Sequence, residues 1–485
     1  MNLKYKGKGK NKLIENVIFS GTYQLLIMMV PIVTTPYVTR IFNVSQMGSY
    51  GASLSIASIF VILSNFGLPI FGSREIAKTK SIEERTFLFW SLWKMQIVTT
   101  CIFYVIFLFI IFFLNIDNKM IYTIQSLLIV VSAFDISWFY IGIEEIKKNI
   151  FRNLITKIFT TMSILFLINT NEQLNQYALI NILGILLGNL TMFMTIKRYL
   201  VPKKKLQKIN ILYYKQSGNL LVPQVLRSVY SSWDRNILLI LSNSYNVGIY
   251  DQGIKIINLI FSIINASMTA IMPRMSNHIS YGKNEMLNIY FKKLSKFFNV
   301  FTIIIISGVF CVSDFFVDFF FGQGYGSVAL VLKISSISFF IMPTSVYLAN
   351  GVLIPLKKDK QYLYSIITMA ITIILFNLVL DSKLFFVGAS ISFVLSEFVG
   401  YIVRIYYSKS YINLILLLKN TLVNIFVIVF SVKINLEVQS FFLTNKSIFN
   451  FIFYGVLSIL INFILIFFVF GIKKIIKHYT VKTIL

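Results

Sequence analysis

Nine ionisable side chains interrupt stretches that are otherwise apolar: Lys94, Asp135, Lys157, Arg227, Asp234, Arg235, Lys255, Lys333 and Glu397. In hydrocarbon each such charge costs on the order of 2.5–3.5 kcal/mol on insertion scales, so each must face a polar cavity, a partner or an interface. Six are cations and three are carboxylates. That balance suits an anion, and phosphate or pyrophosphate is the membrane-borne anion that fits it. Arg227 and Asp234 stand seven residues apart, two helical turns, and so fall on one helix face. Lys255 lies at comparable depth on the next stretch, and these two cations are the deepest. Lys94, Lys157 and Lys333 sit within about two turns of a stretch end, where a long side chain snorkels to the interface. Asp234 and Arg235 read as cavity groups, as a structural ion pair or as interfacial groups. Glu397, in FVLSEFVG, reads as a buried hydrogen-bonding group or as a coupling carboxylate. Asp314 and Asp318 read as interfacial.

Other chemistries lack their residues. There is no GxxxxGK[ST] phosphate loop, no Ser-His-Asp grouping and no paired cysteine nucleophile. His278 and His478 have no companion ligands, and Cys101 and Cys311 lie far apart in apolar runs, so neither a zinc site nor a disulfide is expected. Transport without a cofactor is the expectation, not catalysis.

The elements that must position these groups follow from composition. Hydrophobic residues make up 57% and charged residues 13%, against about 45–50% and about 25% in soluble domains. Lipid must therefore solvate most of the chain. A net charge of +27 would suggest nucleic acid in a soluble protein, but here the basic residues flank long apolar runs. Anionic lipids are the expected partner and nucleic acid is not.

About fourteen apolar spans are predicted: 13–39, 46–70, 87–113, 120–141, 153–168, 177–196, 217–241, 246–271, 297–320, 328–353, 363–380, 385–405, 412–432 and 447–471. Placing the N-terminus in the cytoplasm puts 33 of the 45 basic residues in inner segments and five in outer ones. The asymmetry predicts both termini in the cytoplasm. The organisation expected is an all-α polytopic protein with a basic N-terminus (1–12), an N-lobe of six spans (13–196) and a basic linker (197–216). A C-lobe of six spans (217–405), two appended spans (406–471) and a basic tail (472–485) follow. The lysines at 4, 6, 8, 10 and 12 resemble a signal-peptide head. The apolar run after them lacks a small-residue cleavage site, so an uncleaved first span is expected. The linker reads either as a surface-lying basic segment or as a solvated loop.

A shift of 200 residues lays Gly48 and Tyr50 over Gly248 and Tyr250, and Arg74 over Arg274. The first span then falls on the seventh and the second on the eighth, as an internal duplication of the two lobes would require.

Three segments carry a family resemblance. PYVTRIFNVSQMGSYGASLSIASIFVILSNFGLPIFGSREIAK (36–78), AFDISWFYIGIEEIKKNIFRN (133–153) and WDRNILLILSNSYNVGIYDQGIKI (233–256) occur in this order. They resemble the signatures of the polysaccharide repeat-unit flippases, the O-antigen and capsule transporters of the multidrug/oligosaccharidyl-lipid/polysaccharide exporter superfamily. Arg40 and Arg74 match arginines of the first signature, Asp135 and Trp138 belong to the second, and Asp234, Arg235, Gly248 and Tyr250 to the third. The resemblance implies two six-helix lobes around a central cavity with alternating access. The implied cargo is an undecaprenyl-pyrophosphate-linked oligosaccharide, moved from the inner to the outer leaflet and made and used by glycosyltransferases and a polymerase. Arg74 and Gly48 serve either the cargo or loop geometry. A drug/cation antiporter or a peptidoglycan-precursor flippase of the same superfamily are the sibling alternatives. A membrane glycosyltransferase or polymerase is the alternative of another class, which the short outer loops disfavour.

Overall fold

The computed structural model describes residues 28–113, 118–202, 211–282, 285–442 and 448–466. All regular structure among them is helical. The predicted N-terminal basic segment, most of the first span and the C-terminal tail lie outside the described residues. Nine helices among the described residues are long and apolar enough to cross a membrane, or ten if one bent pair counts as a span. Large apolar side chains stand fully in the open, among them Phe112 and Phe166 at 76% and Ile240 at 80% exposure. Lipid is the solvent for such a surface.

The chain divides into two compact units, Met1–Gly248 and Ile249–Leu485. In the first, α1 spans 28–41, α2 Val44–Asn65, α3 Leu68–Lys78, α4 Ile82–Phe113 and α5 Lys119–Ser132. Then come α6 Ser137–Gly142, α7 Ile146–Leu167, α8 Leu174–Thr195, α9 Ile211–Leu241 and the first turn of α10 Ser244–Ser280. The unit thus takes in α9.

Two predicted spans are broken, each for a local reason. α2 starts on a capping box, Asn43 accepting from Gln46 N and the Gln46 side chain from Asn43 N. It stops where Phe66 (φ 48°) and Gly67 (φ 77°) turn left-handed, after which Pro69 opens α3. Predicted span 46–70 is therefore two helices in one apolar segment, Val44–Lys78. The fourth span breaks between α5 and α6, where the Asp135 carboxylate accepts the Ser137 N–H at 3.0 Å. Two apolar clusters hold these helices. One gathers Leu68, Phe71, Phe89, Leu92, Trp138 and Phe139, and the other Tyr50, Ala57, Phe107, Ile121, Ile129 and Ile182.

The second unit holds the rest of α10, α11 Glu285–Phe320, α12 Val328–Ser336 and α13 Met342–Val346, the last running into a π-helical stretch, Tyr347–Leu353. It ends with α14 Asp359–Leu384, α15 Phe386–Ser408, α16 Leu414–Phe442 and α17 Ile448–Ile466. Predicted span 328–353 is the bent pair, turning by 50° between α12 and α13. Pro343, in the first turn of α13, has no N–H to continue α12. Amides tie the last helices in: Asn424 Nδ2 donates to Asn299 Oδ1 at 3.0 Å, and Ser431 Oγ to Asn462 Oδ1 at 2.6 Å. In an apolar solvent such bonds and close packing, not hydrophobic burial, drive helix association.

Candidate functional site

The motif residues of the first unit build a tight crossing of α2 with the first turn of α10. A Cβ on Gly48 would lie 1.7 Å from Ser244 O, and one on Gly248 would lie 2.1 Å from Val44 O. Only glycine admits this approach. The two contacts are each other's image under the 200-residue shift, and so are the caps. Asn43 Oδ1 accepts Gln46 N at 2.9 Å, and Asn243 Oδ1 accepts Asn246 N at 3.0 Å. Tyr50 and Tyr250 are both buried. The Gly and Tyr of both motifs are thus packing residues, and the asparagines before them set where each helix begins.

α9 packs on α2 through neutral polar bonds. Asn236 Nδ2 donates to Ser55 Oγ at 2.9 Å, Ser55 Oγ to Ser232 O at 2.5 Å, and Ser217 Oγ to Phe66 O at 2.5 Å. Beside them Asp234, 2% exposed, accepts both the Arg235 N–H at 2.8 Å and its guanidinium at 3.2 Å. Arg235, 8% exposed, also donates to Ser231 O at 3.0 Å. Arg227, by contrast, is exposed. It does not share the buried setting of Asp234, although the spacing places both on one face. With Gln216, Asn219 and Ser231, also exposed, Arg227 forms a polar stripe along α9.

Asp135 and Trp138 meet at Gln96, a buried α4 amide that sequence reasoning did not single out. Gln96 Nε2 lies 2.7 Å from Ser132 O, 3.0 Å from Asp135 O and 3.1 Å from Asn65 Oδ1, while Gln96 Oε1 accepts Trp138 Nε1 at 3.2 Å. Gly72 presses on the other face of that indole, where a Cβ would come within 2.7 Å. A mid-helix glutamine in an apolar run carries no signal in sequence; its role follows from the break that exposes the Ser132 and Asp135 carbonyls. Arg40, near the end of α1, and Arg74, in the middle of α3, are exposed, and Arg40 donates to Pro36 O at 2.9 Å.

In the second unit Lys255 pairs with Asp251 at 2.6 Å, one turn earlier on α10. Asp251 was absent from the sequence-level set of charges, and it neutralises a cation counted there. Lys255, Asn258, Ser262 and Asn265 follow one another along one side of α10. Lys333 pairs with Asp314 at 2.7 Å. Glu397 is buried on α15. One turn before the end of that helix Arg404 is 8% exposed and donates to Ser345 Oγ at 2.7 Å and Ser365 Oγ at 3.2 Å. A polar pocket in this unit, lined by Ser295, Asn299, Thr302, Thr344, Thr421 and Asn424 beside phenylalanines, holds no ionisable side chain.

Comparison with known proteins agrees with this architecture. The chain is 22% identical over 400 residues to a protein of Escherichia coli (strain K12) provisionally named an O-antigen transporter, covering 80% of this chain and 94% of that protein. A similarly named protein of Shigella dysenteriae is 21% identical over 369 residues, covering 72% and 87%. Among solved structures the lipid II flippase MurJ, in an inward closed conformation, superposes with a TM-score of 0.70 at 13% identity over 94% of this chain and 99% of that one. An inward-facing multidrug resistance MATE family transporter of the MOP superfamily gives 0.59 at 11% identity over 80% and 97%. These likenesses show the fold. The family model described as polysaccharide biosynthesis protein matches residues 13–278, more than half of the chain. The crossing glycines, the Gln96 node and the α9 bonds all fall within that match, and the chain belongs to the polysaccharide biosynthesis protein family.

Proposed function

We propose that this chain is a flippase that carries an undecaprenyl-pyrophosphate-linked oligosaccharide from the inner to the outer leaflet of a bacterial cytoplasmic membrane by alternating access. The observation that carries the reading is the polar stripe of α9, with the exposed Arg227 at its centre. A helix among apolar neighbours that turns Gln216, Asn219, Arg227 and Ser231 outward faces water, because lipid cannot solvate them. Lys255, Asn258, Ser262 and Asn265 line a second polar side on α10, with Asn258 exposed and the others half-buried. The prenyl tail stays in lipid, and the diphosphate and sugars travel along these wet faces. Arg227 on the α9 face and Lys255 on the α10 face are each a candidate contact for the diphosphate, and amides and hydroxyls are candidates for the sugars. Arg40, Arg74 and Arg235 are further candidates for the headgroup. No bond is made or broken. The enzymes that build and polymerise the repeat unit are the partners this role requires.

With the interior negative, outward movement of negative charge is downhill by about 2.3 kcal/mol per charge per 100 mV. The potential is therefore a sufficient driving force. Asp234 and Glu397, both buried, are the carboxylates through which a proton or sodium gradient would act, whereas Asp135 is engaged at the α5–α6 break. Flipping of lipid-linked oligosaccharide in reconstituted vesicles tests both points. Arg227→Ala with Lys255→Ala should abolish flipping while the protein still inserts and folds, and undiminished flipping by that pair would remove the site. Flipping that ignores an imposed potential and requires an ion gradient would remove voltage as the driver.

A further inference from the structure

The junction where α14 begins and α15 ends gathers cations in a way the transport reading does not use. Arg404 is buried, and its partners are all neutral: Ser345 Oγ at 2.7 Å, Ser365 Oγ at 3.2 Å, the Ser345 carbonyl at 3.5 Å, Met369 Sδ at 3.4 Å and the Tyr362 ring at 5.8 Å. Lys358 Nζ sits 4.7 Å from the centre of the Tyr411 ring, and Lys409 Nζ 4.9 Å from that of Tyr406. None of these three cations pairs with a carboxylate among the described residues.

The contacts link into one chain. Tyr362 N donates to Lys358 O at 3.1 Å, so the ring under Arg404 stands one turn from Lys358. Tyr411 N donates to Ser408 O at 2.9 Å, which closes the turn carrying Lys409. Lys357 adopts φ 57°, a left-handed conformation for a non-glycine residue, in the turn that ends the π-helical stretch and presents Lys358. A conformation of this kind persists only where the surroundings impose it. Tyr406 and Tyr364 are 62% and 49% exposed. Open tyrosines beside lysines mark the depth of lipid headgroups.

A guanidinium removed from water without a counter-charge is unfavourable unless an anion reaches it. Two lysines poised on aromatic rings supply further positive charge at the same junction. We propose that this junction binds the phosphate headgroup of an anionic membrane phospholipid, with Lys358 and Lys409 meeting the phosphodiester oxygens and Arg404 supplying the buried positive field behind them. The open tyrosines and the spread of the three cations over separate rings favour a resident bilayer lipid over the compact diphosphate of a transported one. The proposal stands independently of the cargo.

Native mass spectrometry of the full purified chain tests it, with phosphatidylglycerol and phosphatidylcholine as competing probes. The chain should retain phosphatidylglycerol in preference, and Lys358→Gln with Lys409→Gln should weaken retention about five-fold for each cation removed. Arg404→Gln should weaken it further; should that variant not fold, the lysine pair, which is not buried, still decides. Equal retention of the two probes, or unchanged retention by the lysine pair, overturns the proposal. Displacement of phosphatidylglycerol by an equimolar polyprenyl diphosphate, abolished by the same substitutions, overturns the choice of a bilayer lipid and assigns the junction to the cargo.

Discussion

The α2–α9–α10 crossing of the first unit and the α12–α15 region of the second solve the same problem, holding helices together in an apolar solvent, by different means. In the first, backbones touch at Gly48 and Gly248, and neutral bonds among Ser55, Ser232 and Asn236 join α9 to α2. In the second, helices bend by 50°, a π-helical stretch interrupts the span, and a buried cation reaches across to Ser345 and Ser365. Steric contact leaves one arrangement only. A long side chain donating to hydroxyls permits more than one, and π-helical turns recur where function needs an irregular backbone. The first region is built to stay and the second has the means to adjust.

Replacing Gly48 by Leu is the most severe way to test the steric half of this contrast. The new side chain would enter space held by the Ser244 carbonyl, and folded protein should be lost on detergent size exclusion. Overpacking that can relax costs about 1–3 kcal/mol, and backbone atoms cannot move aside as a side chain does. Gly248→Leu should act alike, and a well-folded Gly48→Leu protein would break the comparison.

Next in size is Gln96→Ala, which strands the indole N–H of Trp138 and the Ser132 carbonyl. Leaving a buried polar group unpaired costs about 1–3 kcal/mol, seen as a lowered melting temperature. Trp138→Phe should restore part of the loss in the Gln96→Ala background, since it removes the stranded donor. A double-mutant cycle showing no coupling would dissolve the node.

Ser345→Ala removes the shortest bond of Arg404. A hydrogen bond to a charged group is worth about 1.5–3 kcal/mol, but a region able to adjust can transfer the donor to water or to the Ser345 carbonyl, so a shift at the low end is expected. A loss as large as that of Gly48→Leu would show the second region to be as rigid as the first.

Gly308→Ala should have the smallest effect and the opposite sign. A Cβ there meets nothing within 4 Å, and alanine in place of glycine inside a helix gains up to about 1 kcal/mol. A destabilised Gly308→Ala protein would mean that this open face of α11 is covered.

Much of the fold was legible in the sequence because a bilayer imposes a simple rule: apolar runs of sufficient length become helices. The long helices of the described residues overlap predicted spans, but α3 lies mostly beyond the end of its span, and α10 and α16 run on to Ser280 and Phe442. The register of 200 residues was read from the paired Gly-x-Tyr motifs, and the structure adds that Asn43 and Asn243 cap the helices bearing those glycines. Breaks were not. Gly67 and Pro69 announce one in hindsight, but Asp135 acts as a turn acceptor only once Ser137 follows it in three dimensions. Charges were least legible. Counting the spans gave six cations against three carboxylates, and the structure then supplied Asp251 for Lys255 and Asp314 for Lys333, which narrows the excess.

The amino-acid order alone determined that the chain is helical and membrane-embedded, and the motifs pointed to its family, because hydropathy and motif order are local properties read along one dimension. Only the tertiary structure decided which polar groups are exposed, which are paired and which stand buried without a counter-charge. Those outcomes depend on what other helices bring to within about 3 Å, a distance that spacing along the chain does not specify.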